Sequence, residues 1–143
     1  MTAAYFDSSA IVKLYSNEQH HEMVRALDAV PITSALARVE VTAAFYGKAR
    51  SGEVSVSVAQ LLTAVFAADW FDGRFIYVAS DSRIEAEAAE LAARYPVRGF
   101  DALHLATANA ARRAVAECTL FVCFDERLNA AAAGERFGLM TES

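Results

Sequence analysis

Apolar and polar positions along the chain switch between a strand-like and a helix-like period, and each switch marks an element. Ala3-Ala4-Tyr5-Phe6 reads as a short buried strand, and Asp7-Ser8-Ser9 starts a helix through Ile11, Val12 and Leu14. Asn17-Glu18 opens a second helix, with Met23, Ala26, Leu27 and Val30 at helical spacing. Pro31-Ile32-Thr33 is a brief strand. Ser34 has the chemistry of an N-cap for a helix from Ala35 to about Arg50, stopped by Ser51-Gly52. A helix from Ser55 to Phe71 follows, packing through Val58, Leu61, Leu62, Val65 and Phe66, although its Val-Ser-Val-Ser-Val opening also fits a strand period. After the Asp72-Gly73 turn, Phe75-Ile76-Tyr77-Val78-Ala79 is the clearest β-branched and aromatic strand. Helices over Ser82–Tyr95, closed by Pro96, and Gly99–Val115 precede an apolar strand from Thr119 to Phe124. Residues 126–134 make the last helix, and Gly138-Leu139-Met140 suits a fifth, edge strand. Strands alternating with helices predict a parallel sheet covered on both faces, an α/β fold in three layers.

Composition narrows the class. The 143 residues suit one domain over 1–143 with a substantial core. Hydrophobic residues make up 55 % of the chain, more than a core of this size needs, so a partner or dimer interface is expected, with the apolar helices at 8–30 and 55–71 as its candidates. No apolar run reaches the roughly 18 residues of a membrane span, and no basic stretch followed by an apolar one suggests a signal peptide. Cys118 and Cys123, five residues apart on one strand, would face opposite sides about 17 Å apart, too far for a disulfide. They read as buried free thiols in a reducing cytoplasm.

Four carboxylates carry the candidate chemistry. Asp7, Asp101 and Asp125 follow strands or open helices, and Glu40 lies mid-helix on a stripe with Leu36, Ala43 and Gly47. Each has an ordinary explanation. Asp7 and Asp125 can cap the helices after them, Asp101 suits the first turn of its helix, and Glu40 can be salt-bridged. Together they say more, because a doubly wound sheet gathers the ends of its central strands at one crevice. Clustered carboxylates repel unless cations lie between them, and a buried Glu40 needs a cation or metal partner. Hard oxygen donors without a His or Cys set suit Mg²⁺ or Mn²⁺ rather than Zn²⁺. The net charge of −5 argues at face value against a nucleic-acid partner. Setting four of the 18 acidic residues aside leaves 14 against 13 basic ones, so the remainder is nearly neutral. A phosphodiester substrate is therefore not excluded, whereas tight non-specific duplex binding is disfavoured.

The blocks Tyr5-Phe6-Asp7-Ser8-Ser9-Ala10-Ile11-Val12-Lys13-Leu14-Tyr15, Ser34-Ala35-Leu36 with Glu40, Arg98-Gly99-Phe100-Asp101-Ala102-Leu103-His104-Leu105-Ala106 and Phe124-Asp125-Glu126-Arg127-Leu128 resemble a PIN-domain ribonuclease. The length resembles the VapC-type toxins of bacterial toxin–antitoxin pairs. That resemblance implies a sheet order of 3-2-1-4-5 and Mg²⁺, replaceable by Mn²⁺, on Asp7, Glu40, Asp101 and Asp125. It further implies metal-dependent endonucleolytic cleavage of RNA leaving a 5′-phosphate, a cognate antitoxin, a homodimer and no membrane. In such a site Asp7, Glu40 and Asp101 would hold the metal, and Asp125 would complete a second, weaker position. Ser8 or Ser9 could hydrogen-bond a carboxylate or phosphate, and Lys13, Arg38 and Arg98 are candidates for substrate contact. His104, one turn after Asp101, is either a satisfied packing histidine or a general acid.

Other residues are set aside. Asp81 reads as a helix cap beside an edge strand, Asp69 and Asp72 as loop residues, His20-His21 as solvent-facing, and Arg112-Arg113 as a solvated helix face. Two other chemistries fit the same fold. A phosphatase or phosphotransferase could use Asp7 as nucleophile, but the usual Asp-x-Asp pair would need an acid where Ser9 stands. A non-catalytic PIN-fold interaction module would have no reason to tolerate the repulsion of four acids.

Overall fold

A computed structural model describes residues 2–140; residues 1 and 141–143 of the expected domain lie outside the described part. Five strands, β1 (Ala3–Phe6), β2 (Val30–Ser34), β3 (Ile76–Val78), β4 (Cys118–Val122) and β5 (Gly138–Leu139), form one sheet in the order β3-β2-β1-β4-β5, every pair parallel. Parallel neighbours require crossovers, supplied by α1 (Ser8–Val12), α2 (His21–Arg25), α3 (Ala37–Arg50), α4 (Val56–Phe71), α5 (Ser82–Arg94), α6 (Gly99–Ala114) and α7 (Glu126–Gly134).

Strand alternation sorts the helices into two layers. Ala3 and Tyr5 of β1 face a core with Leu91 of α5, Leu105 of α6 and Leu128 of α7, while Ala4 and Phe6 face one with Ile11 of α1, Phe45 of α3 and Phe66 of α4. β1 is buried at all four positions, as expected of a strand covered on both faces. The carboxyl ends of β1 and β4 meet at the centre of the sheet, and this is where α1, α6 and α7 begin.

The expected elements are present, with shifted boundaries that have identifiable causes. The second helix ends at Arg25 instead of running to Val30, because Val30 joins the ladder opposite Ala3. Ser34 closes β2 rather than capping α3; its Oγ accepts from the Leu36 N–H at 3.1 Å, and the helix starts at Ala37. Helix prevails over strand at the start of α4, where Ser55 caps by accepting from the Val58 N–H at 3.1 Å. Asp69 lies inside α4 and not in a loop, accepting from Tyr15 Oη at 2.6 Å and Arg74 Nη1 at 2.8 Å; Asp72 is the C-cap of that helix, and Gly73 then turns at φ +80°. Asp81 is a cap beside the edge strand β3, accepting from the Ile84 N–H at 2.9 Å.

The two cysteines are free and buried, but they face the same core layer rather than opposite ones. A bulge explains this. Ala3 pairs with Cys118 whereas Ala4 pairs with Leu120, so one extra residue enters β4 and resets its alternation. Arg112, expected on a solvated face, instead bonds Asn109 Oδ1 and the Glu135 carbonyl and lies 3.9 Å over the Phe137 ring. His20 and His21 are half-buried: the His20 ring stacks on Phe124 at 4.9 Å, and His21 Nδ1 donates to the Glu18 carbonyl at 2.7 Å.

Candidate active site

The crest of the sheet is built by helix starts. Asp7 and Asp125 are the N-caps of α1 and α7: Asp7 Oδ1 accepts from the Ala10 N–H at 2.9 Å and Ser9 Oγ at 2.8 Å, and Asp125 Oδ1 accepts from the Leu128 N–H at 2.9 Å. Capping and a place at the crevice are therefore compatible, since in each residue one oxygen caps. Asp7 is buried and Asp125 exposed. The Cys123 thiol sits by both, accepting from the Asp125 N–H at 3.3 Å; burial and then the Asp7 charge push its ionisation far above the ordinary range, so it is an inert neighbour.

Glu40 stands in the first turn of α3, not at mid-helix, because the helix starts later than the capping pattern suggested. Its partners are the side chains of Ser8 and His104. Oε1 accepts from Ser8 Oγ at 2.7 Å and lies 2.7 Å from His104 Nε2. Beneath it, Tyr5 Oη lies 2.7 Å from His104 Nδ1. Burial, followed by the Asp7 charge, holds the Tyr5 phenol well above its ordinary pKa, so it stays protonated against Nδ1. An ionised carboxylate only accepts, so in the Glu40 contact Nε2 is the donor. Burial opposes the Glu40 charge, but the bonds from His104 and Ser8 outweigh it and hold the carboxyl below its ordinary range.

Asp101, in the first turn of α6, is the opposite case. Half-buried, it accepts no hydrogen bond among the described residues. Burial raises its pKa, the charges of Asp125 and Asp7 raise it further, and His104 and Arg98 offset only part of this. Such a carboxylate calls for a cation. Two cavities meet at it: a polar one of about 640 Å³ shared with Arg98, Asp125 and Arg127, and a more apolar one of about 650 Å³ shared with Arg98, Phe100 and Glu40.

The fold thus sets Asp7 and Asp125 close enough to Asp101 to raise its pKa and places Glu40 on a cavity shared with it. Among the described residues no group of three His, Cys, Asp or Glu side chains is disposed to hold a metal as it stands. The donor chemistry nevertheless fits a hard cation, because Mg²⁺ usually takes one or two carboxylates and fills its shell with water and substrate phosphate. Of the basic candidates, Arg98 is exposed and lines both cavities. Lys13 is buried and paired with Glu18 at 2.9 Å, and Arg38 lines a separate surface cleft with Val39 and Tyr46. His104 is buried with both ring nitrogens engaged, the arrangement of a positioning residue rather than a proton donor to substrate. Sequence reasoning missed Tyr5, which supports His104 from 99 residues away. Its one signal was a phenol in an otherwise apolar strand, which must find a partner.

A family model described as PIN domain matches residues 4–134. Two curated relatives, Ribonuclease VapC45 and Ribonuclease VapC49 of Mycobacterium tuberculosis (strains CDC 1551 / Oshkosh and ATCC 25618 / H37Rv), are each 37 % identical over 114 residues, 76 % of this chain and 76 % of the relative. A solved structure described as a toxin–antitoxin complex from Klebsiella pneumoniae shares the fold, with a TM-score of 0.62 over 97 % of both chains at 18 % identity.

Proposed function

The chain belongs to the PIN-domain family, alongside ribonucleases of the VapC type, and from that membership we propose that it is a metal-dependent endoribonuclease acting as the toxin of a toxin–antitoxin pair. The observation that carries the site assignment is Asp101: a half-buried carboxylate without a donor among the described residues, crowded by Asp7 and Asp125 at the mouth of two cavities.

On this reading Asp7, Glu40, Asp101 and Asp125 are the oxygen donors for Mg²⁺, with Mn²⁺ able to substitute. The bound ion supplies Lewis-acid stabilisation of the phosphate and a more acidic water. The chain's own residues do the positioning. Tyr5 orients His104, and His104 with Ser8 holds Glu40 ionised with Oε1 occupied. Glu40 Oε2 would thereby be left for the ion. Arg98 offers its charge to the substrate phosphate between the two cavities. Ser9 fixes Asp7 Oδ1, and Lys13 contributes through packing on Phe124, 5.1 Å from the ring centre.

The partners on this reading are RNA, an antitoxin protein and a second copy of the chain. An apolar surface suitable for assembly exists on α4, where Leu61 is 62 % exposed and Phe71, at its end, 90 % exposed. Among the described residues no helix is long and apolar enough to cross a membrane, and the free thiols suit a reducing cytoplasm. The test is cleavage of total RNA with Mg²⁺ or Mn²⁺ and with chelator, with Asp101→Asn as the contamination control. Discrete fragments that require metal and disappear in the variant are expected. Equal cleavage by both proteins would sink the assignment.

A further inference from the structure

A phosphodiester held at Asp101 must send its chain away in two directions, and the cavities that meet there differ in what they can receive. Both are lined by Asp101 and Arg98. The polar one sets two arginines, Arg98 and Arg127, beside Asp101, Asp125 and Glu126, one guanidinium more than the other cavity has, and through them suits sugar and phosphate. The other has Ala88, Ala89 and Ala92 of α5 along one wall and Glu40 and Glu85 among its acids, so a second phosphate there would meet negative charge. At this cavity stands Phe100, 65 % exposed, one residue before Asp101. Among the described residues the other strongly exposed large apolar side chains lie on α3, on or around β3, or along α4, and none of them lines either cavity. Leaving a phenyl ring in water costs apolar stabilisation that burial would return, and here the ring faces a slot floored by small residues beside the reacting centre.

We infer that Phe100 is a stacking platform for one unpaired nucleobase of the substrate, the nucleoside adjoining the cleaved phosphate being seated in the Ala88–Ala92 slot while Arg98 spans its phosphate. Resting on the ribonuclease reading, this narrows the substrate to RNA whose base is free to leave a helix. Bases in A-form duplex are stacked and face a groove that side chains do not read, whereas unpaired bases are recognised on aromatic faces. The slot is acidic and apolar at once, which suits a flat base with exocyclic amino groups. Glu85 is available to accept from such a group, although it already accepts from Ser80 Oγ at 3.2 Å.

The test compares wild type with Phe100→Ala, Phe100→Leu and Phe100→Trp on a random-sequence single-stranded RNA pool carrying 2-aminopurine for adenine, and on the same pool annealed to its complement. Steady-state cleavage in Mg²⁺ and rapid-mixing fluorescence are both recorded. Loss of one stacked base predicts a KM for single strands raised about 5- to 150-fold in Phe100→Ala. The kcat is expected to stay within about threefold, because stacking is made in ground and transition states alike. Phe100→Trp restores both KM and the quenching of 2-aminopurine; Phe100→Leu, apolar but without a π-face, does not. Metal-dependent cleavage by wild type with unchanged constants in Phe100→Ala, or with duplex cut as readily as single strands, would overturn the base seat, leave the ribonuclease reading standing and assign the exposed ring to a protein contact. Absence of wild-type cleavage with quenching still dependent on Phe100 would overturn only the ribonuclease reading. Absence of both would remove both.

Discussion

Two carboxylates packed around α6 occupy opposite electrostatic situations, and the contrast separates a carboxylate that holds the fold from one available for chemistry. Glu135, just after α7, is enclosed by donors: Tyr95 Oη at 2.6 Å and Arg94 Nη1 at 3.1 Å on Oε2, and Asn109 Nδ2 at 3.2 Å on Oε1, with Arg112 on its own carbonyl at 2.9 Å. Burial works against its charge, but the Tyr95 and Asn109 bonds and Arg94 outweigh it, so its pKa falls. Asp101, at the other end of α6, has burial, two facing acids and no donor among the described residues, and its pKa rises. Glu135 ties the ends of α5 and α7 to α6. Asp101 ties nothing, and it persists at a cost in stability that a purely structural role does not account for.

The largest expected effect breaks the two roles apart. Asp101→Asn should lower metal-dependent RNA cleavage by more than about 100-fold, since even residues that merely support metal ligands cost about 10- to 100-fold. It should also leave the melting temperature unchanged or raised, because repulsion from Asp7 and Asp125 is relieved. A variant that loses activity by unfolding would show instead that Asp101 is structural.

Glu135→Ala is the mirror experiment. It strands the Tyr95 hydroxyl and the Asn109 amide, and a few such donors left without partners cost roughly 1–3 kcal/mol. A melting temperature lower by several degrees is expected, with cleavage per folded molecule retained. Lost cleavage at full stability would contradict the division of labour.

The difference between these sites explains what could be read from the chain and what could not. The order of elements, the three layers and the meeting of Asp7, Asp101 and Asp125 followed from local periods plus the rule that sheet ligands gather where strand order switches. The partner of Glu40 did not. Depth on an apolar stripe called for a cation or metal, whereas the fold supplies His104 and Ser8, the latter from the N-terminus of a different helix. The Glu135 cluster was equally hidden, since its members lie 23 to 41 residues from it and Arg112 looked like any solvated arginine. The bulge in β4 has no local signature in the apolar run around it. Local pattern reports which face a residue takes within its own element; pairing across elements needs the register.

Gly134 gives a finer probe of the Glu135 side. A Cβ there would lie 2.5 Å from Tyr95 Oη and 2.9 Å from its Cε1, so Gly134→Ala must displace the ring from Glu135. The lost hydrogen bond costs roughly 0.5–1.5 kcal/mol, and alanine at this last helical residue returns at most the interior propensity gain of about 0.8–1.0 kcal/mol. The terms nearly cancel, so a change in melting temperature of no more than a few degrees is expected. A gain as large as the whole propensity term would show that the Tyr95 bond contributes nothing.

The smallest effect is in pH. Because the folded-state pKa of Glu135 is depressed, its contribution is complete above its ordinary 4.5 and is lost as pH falls toward the folded value. The gap in melting temperature between wild type and Glu135→Gln should therefore be constant from neutral pH to about pH 5.5 and close progressively below that, in thermal scans at fixed salt. Added salt should shrink only the Arg94 share, since that guanidinium is solvent-exposed, and leave the Tyr95 and Asn109 share in place. A gap that shows no narrowing between pH 5.5 and pH 3 would mean that shape rather than charge holds this end of the molecule. The comparison with Asp101 would then rest on packing alone.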